Sequence, residues 1–150
     1  MGHSYSSSLF HVVFSTKDRR KYLDPSLRER LCPYLGGIAR QNEMQLLAVG
    51  GVEDHVHLLL CIPANLALSK AIQLLKGGSS KWAHETFPEH QHFAWQEGYG
   101  AFSISVSAIP ETIAYIQRQE EHHRTRTFEE EFVAFLHRHN LEFDPRYVLG

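Results

Sequence analysis

The stretch GVEDHVHLLLCIP, residues 51–63, carries two histidines one residue apart inside what otherwise reads as a buried strand. Side chains alternate along a strand, so His55, His57 and Leu59 share one face and Val56, Leu58 and Leu60 share the other. Alpha-carbons two apart on a strand are separated by about 6.5–7 Å, so two leaning imidazoles can hold one metal ion. Imidazole is costly in a core without a partner. Asp54, directly before the pair, can accept a proton from a ring nitrogen. A His-x-His pair alone is a weak signal for a metal and reads first as two hydrogen-bonded residues at a strand end. Two ligands also make an incomplete site.

Working outward, MQLLAVGGV (44–52) reads as the strand before it, with Gly50-Gly51 as a bulge and Glu53-Asp54 as the turn of a hairpin. LFHVVFST (9–16) is rich in aromatic and β-branched residues and predicts a strand. Asp24-Pro25 opens a helix with Leu27, Leu31, Tyr34, Leu35 and Ile38 on one stripe; Pro33 and Gly36-Gly37 are expected to kink or break it. A second helix follows Pro63, with Leu66, Leu68, Ile72 and Leu75 as its stripe and Gly77-Gly78 as an interruption. FAWQEGYGAFSISVS (93–107) predicts one long strand or a bent pair. Pro110 suits the first turn of a third helix, ETIAYIQRQEEHH, and FEEEFVAFLHRHN (128–140) is a last amphipathic helix.

The predicted order is β-α-β-β-α-β with additional C-terminal helices, the ferredoxin-like α+β arrangement. It implies an antiparallel sheet with helices on one face. The other face is left to solvent, a ligand or a partner subunit. At 150 residues, the expectation is one domain spanning 1–150.

No apolar run is long enough to cross a bilayer, and MGHSYSSSLF lacks the basic start and apolar core of a signal peptide. The expected location is cytoplasmic. Two cysteines, Cys32 and Cys61, imply no disulfide framework. The formal net charge of -2 gives no general support to a nucleic-acid partner. Charge is uneven, however. Lys17, Arg19, Arg20 and Lys21 form a basic cluster, and Glu129, Glu130 and Glu131 are acidic near the end. On charge alone the basic loop reads as a solvated turn. Seven of the 11 histidines cluster, at 55 and 57, at 84, 90 and 92, and at 122 and 123.

On the third helix Tyr115 and Gln119 are four apart and share a face, which His122 continues at i+7. Tyrosine is a possible nucleophile and glutamine a possible oxygen ligand. Read alone, Tyr115 is first a half-buried core residue between Ile113 and Ile116.

In combination, His-hydrophobic-His on a central strand and Tyr-x-x-x-Gln on a late helix resemble the single-tyrosine transposases of the IS200/IS605 insertion sequences. These belong to the wider HUH endonuclease group. FHVVFSTKDRR resembles the first strand and basic loop of that family, GGVEDHVHLLL its histidine strand, and LLKGGSSKWAHETF the helix after it. FAWQEGYGAFSISVS resembles the last strand, and YIQRQEEHHRTRTFEEEF the tyrosine helix. Glu53-Asp54 replaces the Pro-Asp often found before the histidines.

The resemblance implies an enzyme that cuts and rejoins single-stranded DNA at hairpin-bearing ends of a mobile element. Tyr115 would form a 5′-phosphotyrosine link. His55, His57 and Gln119 would hold a divalent cation, Mg²⁺ with Mn²⁺ as substitute. Members act as homodimers, in which the tyrosine helix of one chain can complete the site of the other. Candidate DNA contacts are Lys17, Arg19, Arg20, Lys21, Lys76 and Lys81, with His122, His123 and Arg124 beside the catalytic face. Tyr22, Trp82, Trp95 and Tyr99 are candidates for stacking on bases, with core or dimer packing as the other reading of the tryptophans. Two rivals are a domesticated hairpin-binding module of the same fold without transposition, and a metal-dependent hydrolase that leaves no protein-DNA link.

Overall fold

Four strands form one antiparallel sheet: β1 (Leu9–Ser15), β2 (Gln45–Val52), β3 (His55–Cys61) and β4 (Gly100–Ser103). Their order across the sheet is β2-β3-β1-β4, the ferredoxin-like order expected from the sequence. The computed structural model describes residues 2–148; Met1, Leu149 and Gly150, the ends of the expected 1–150 domain, lie outside the described residues.

Strand alternation decides the two faces. Val12, Phe14, Val56, Leu58 and Leu60 point to one side, into the main core. Helices α1 (Pro25–Gln41) and α2 (Leu68–Thr86) supply Leu27, Leu31, Leu35, Ile72 and Leu75 to that core. Val13 and Phe102 point to the other side, as do the histidines. That second face is not left open. It is covered by α3 (Ile109–Gln117), α4 (Gln119–His122) and α5 (Phe128–Arg138) of the same chain. Phe128, Phe132, Phe135 and Leu136 of α5 are buried there. Each such side chain contributes roughly 1.5–3 kcal/mol when taken out of water, which docks α5 firmly.

Several local expectations are corrected. α1 runs unbroken through Pro33 and Gly36-Gly37. Pro33 and Glu29 are exposed, so water can satisfy the carbonyl that proline leaves without a donor. Tyr34 is not on the buried stripe; it stacks on Trp82 of α2 at 4.6 Å between ring centres. α2 also runs through Gly77-Gly78. Gly78 is where the two helices approach, since a Cβ there would lie 2.8 Å from Ile38 Cδ1.

The register shift in β2 falls between Leu46 and Ala48, not at Gly50-Gly51. Those glycines serve close approach instead. A Cβ on Gly50 would lie 2.3 Å from the Ile116 carbonyl oxygen of α3, and one on Gly51 2.4 Å from the His55 carbonyl oxygen. The segment 93–107 is not one long strand. It touches the sheet at a single bridge, Thr16 with Trp95, and then pairs only over β4. Between them the chain leaves the edge of β1, and Lys76 Nζ donates to the carbonyls of Gln96 at 2.8 Å and Gly98 at 2.7 Å.

Candidate active site and metal centre

β3 places His55 and His57 side by side, each 0% exposed. Val13 and Ser15 of β1 lie opposite them, so the pair is at the centre of the sheet. Each ring is held at Nδ1 from behind. His55 Nδ1 is 2.8 Å from Asp54 Oδ1, and His57 Nδ1 is 2.8 Å from His11 Nε2. The two Nε2 atoms thereby face a common point.

Glu131 of α5 occupies that point. Its Oε1 is 2.9 Å from His57 Nε2, 3.3 Å from His55 Nε2 and 3.2 Å from His123 Nε2. Its Oε2 accepts a hydrogen bond from the Tyr115 hydroxyl. Gln119 is also turned inward, with Oε1 3.4 Å from His55 Nε2 and 3.2 Å from His123 Nε2. The helix breaks between Tyr115 and Gln119, at Arg118 (φ -106°, ψ 28°), yet both side chains reach the histidines. The close approach at Gly50 seats this junction on β2. All of these groups belong to one chain.

The donor set fits a metal ion. One ligand atom each from His55, His57, His123 and Glu131 lie within 4.8 Å of one another. A cation with bonds of about 2.1 Å separates neighbouring ligand atoms by roughly 3–3.4 Å, close to the spacings around Glu131 Oε1. Three imidazoles and a carboxylate suit a first-row transition ion such as Zn²⁺ or Fe²⁺ best and Mg²⁺, which prefers oxygen, least, with Mn²⁺ between them.

Charge in this pocket is uneven. Burial works against an ionised Glu131, but hydrogen bonds from His123, His55 and His57 hold its carboxyl far below the usual range. Burial pulls His57 down to about 4 and His11 down to about 3, so both are neutral imidazoles at pH 7. For His55, burial is outweighed by hydrogen bonds to Asp54 and Glu131, and its pKa is raised. Burial, then the hydrogen bond to Glu131 and its charge, push the Tyr115 phenol well above 10.

The other candidates fall in different places. Lys17, Arg19, Arg20 and Lys21 are exposed, on a loop that starts where Thr16 N donates to the Asp54 carbonyl at 2.8 Å. The basic loop thus leaves the sheet at its His55 end. Lys81 and Arg124 are exposed as well. Lys76 is half-buried and tethers the 96–98 loop, so its ammonium faces carbonyls. His123 belongs to the metal-type cluster, and His122 stacks on the Tyr115 ring at 4.3 Å. Trp95 is core, bonded through Nε1 to Ser79 Oγ at 3.0 Å, and Tyr22 packs on Phe93. Tyr99 is partly exposed.

Sequence reasoning did not single out Glu131 or His11. The signal for Glu131 was a lone acid on the apolar stripe of Phe128, Phe132 and Phe135. The signal for His11 was its parity with Val13 and Ser15 on the histidine face.

A central His-x-His strand, a helix-borne tyrosine and a ferredoxin-like sheet define a class of DNA-processing enzyme. The family description "Transposase IS200 like" matches residues 4–119, and the chain belongs to that family. It is similar to the ISDra2 transposase TnpA of Deinococcus radiodurans, 25% identical over 117 residues, covering 75% of this chain and 84% of the relative. It is 27% identical over 122 residues to the transposase for insertion sequence element IS200 of Salmonella typhimurium, covering 81% and 80%. A crystal structure of a Deinococcus radiodurans protein assigned as a transposase superposes with a TM-score of 0.64 at 27% identity, covering 79% of this chain and 96% of that one. A REP-associated tyrosine transposase solved bound to a REP hairpin shares the fold, with a TM-score of 0.56 at 15% identity and coverage of 77% and 68%. No helix among the described residues is long and apolar enough to cross a membrane.

Proposed function

We propose that this transposase cleaves and rejoins single-stranded DNA through Tyr115, with a divalent metal held beside it by His55 and His57. The observation that carries the reading is the convergence on Glu131: one carboxylate meets the Tyr115 hydroxyl and the Nε2 atoms of three histidines. Gln119, His123 and Glu131 are the candidates to complete the ligand set. When bound, the metal would polarise a nonbridging phosphate oxygen as a Lewis acid. Mn²⁺ suits the donors better than Mg²⁺, and Mg²⁺ is the expected ion from family resemblance.

The chain's own residues do the rest. Tyr115 Oη forms a bond to phosphorus, and the bond from phosphorus to the 3′ oxygen breaks. The phenol proton, directed toward Glu131 Oε2, is relayed to the departing 3′ oxygen, which leaves as a hydroxyl, so Glu131 begins and ends the step ionised. The product is a 5′-phosphotyrosine link that retains the phosphodiester energy, so a second 3′-hydroxyl can reverse the step on a new strand. The basic loop at the His55 end of the sheet would take the flanking phosphates. A hairpin-bearing strand is the proposed substrate. One chain supplies the whole set, so the reading needs no exchange of α3 between subunits.

The test is a denaturing gel after mixing protein, hairpin oligonucleotide and Mn²⁺. A metal-dependent covalent adduct that Tyr115→Phe abolishes supports the reading. Cleavage without an adduct points to hydrolysis. A second reading, hairpin binding without strand transfer, is favoured by one observation: α5 seals both histidines from solvent. Tight binding with neither cleavage nor adduct supports it.

A further inference from the structure

His11 lies on β1 with its ring on the same face as the histidine pair, buried between aromatic edges. Phe135 meets it edge-on at 4.9 Å and Phe102 at 6.5 Å between ring centres. Among the described residues its side chain makes one hydrogen bond, from Nε2 to His57 Nδ1 at 2.8 Å. Burying an imidazole among rings is costly without a hydrogen bond, and the contact with His57 is what offsets that cost for His11.

We infer that His11 is a positioning residue for the metal centre, holding His57 at Nδ1 as Asp54 holds His55. This rests on the proposed metal role of His57. A ligating imidazole needs its lone pair on the nitrogen facing the ion, and its proton on the other nitrogen, on an acceptor. Asp54 Oδ1 is that acceptor for His55. The matching atom for His57 is His11 Nε2.

The two supports differ in one respect. A carboxylate only accepts, whereas an imidazole can reverse its role. With no ion present, His57 Nε2 lies 2.9 Å from the ionised Glu131 and donates to it. His57 Nδ1 then accepts from His11 Nε2–H. Ligation requires the reverse. The proton on His57 Nε2 departs, Nδ1 takes the proton held by His11 Nε2, and His11 regains one at its own Nδ1. Both rings are neutral before and after, with one proton released and one taken up. His11 lines a cavity of about 400 Å³, together with Ser103, Thr112, Arg138 and His139, from which the incoming proton can arrive. The pair therefore links a sealed centre to the surface without carrying charge into it.

The experiment titrates the DNA-free protein with Mn²⁺, following free Mn²⁺ by electron paramagnetic resonance. His11→Phe fills the space and removes the acceptor, and should weaken binding by roughly 10–100-fold, the usual effect of losing a ligand's outer partner. His11→Gln restores an acceptor and should recover most of that loss. Thermal unfolding of each variant reports folding separately. Equal Mn²⁺ affinity in wild type and His11→Phe overturns the inference, as does a His11→Gln variant that folds but binds no better than His11→Phe. If His57→Ala binds as tightly as wild type, the metal reading itself falls, and the inference with it. Nitrogen-15 spectra of the wild-type protein loaded with Zn²⁺ need no variant. They should show His57 protonated at Nδ1, and protonation at Nε2 overturns the inference.

Discussion

Glu131 Oε1 and His57 Nε2 meet at 2.9 Å although 74 positions separate them in the chain. The contact ties the last helix to the central strand and leaves Glu131 1% exposed. Removing the carboxylate leaves the buried donors of Tyr115 and the histidines unpaired, at about 1–3 kcal/mol for each buried donor left unsatisfied. Glu131→Ala should therefore lower the stability of the metal-free chain by about 3 kcal/mol in urea unfolding. Glu131→Gln keeps the shape and an acceptor for Tyr115, so it should cost less while still weakening Mn²⁺ binding. Unchanged stability in Glu131→Ala would show that α5 is not docked on the histidines in solution.

Gly50 makes a second test of how the site is seated. Any side chain there meets the Ile116 carbonyl, since the Cβ position is 2.3 Å from that oxygen. Backbone cannot yield as a flexible side chain can, so α3 must shift away from β2. Gly50→Ala should cost about 1–3 kcal/mol, the range for overpacking, and should strongly reduce adduct formation by moving Tyr115 and Gln119. Gly77 is the control, because nothing lies within 4 Å of its Cβ position and it sits inside α2. Gly77→Ala should stabilise by about 0.5–1 kcal/mol and leave adduct yield unchanged. Opposite signs in thermal unfolding are the expected result; a neutral Gly50→Ala would mean that the seating is loose.

The contrast between these two glycines also explains what the sequence revealed and what it hid. Alternation in HVHLLL, with helical stripes at Leu27, Leu31 and Leu35, was enough to order the sheet and place His55 and His57 together. Those signals are local and periodic. Glu131 and His11 were harder to read because each has meaning only through a partner far along the chain. Glu131 stands in a run of three acids that resembles a solvated helix start, and only its phase against Phe128 and Phe135 marks it as inward. The tether made by Lys76 was hidden for a related reason. A lysine on a helix reads as exposed, whereas its acceptors here are the backbone carbonyls of residues 96–98, which no side-chain pattern announces.

Acid should expose the cost of the buried imidazole. His57 titrates at about 4 in the folded chain against an ordinary 6.5, so between these values the unfolded chain binds more protons. The stability of the metal-free protein therefore gains from His57 as pH rises from about 4 to 6.5, and loses that contribution as pH falls through the same window. His55 has the opposite sign. Its raised pKa stabilises the fold at low pH and ceases to do so as pH rises through that value. Comparing wild type with His57→Gln isolates the first effect. The stability of wild type relative to His57→Gln should rise with pH across 4–6.5 and level off above it, and a flat difference would place His57 in water or in its charged form.

The basic residues divide into two groups that salt can separate. Lys17, Arg19, Arg20 and Lys21 are exposed on the loop at the His55 end of the sheet, free to meet phosphates. Each phosphate contact to a single strand contributes about 0.7 to the slope of log affinity against log salt. Arg19→Ala and Arg20→Ala should each lower that slope by about 0.7 without changing the unfolding midpoint. Lys76 should behave in the reverse way. Burial lowers its pKa to about 8, yet it stays charged at pH 7 and donates to three carbonyls that hold the 96–98 loop. Lys76→Ala should reduce stability by about 1–3 kcal/mol, because charged hydrogen bonds are lost and acceptors are left without a donor. Its salt slope for hairpin binding should match wild type. A reduced slope with normal stability would instead place Lys76 among the phosphate contacts and free the loop it now tethers.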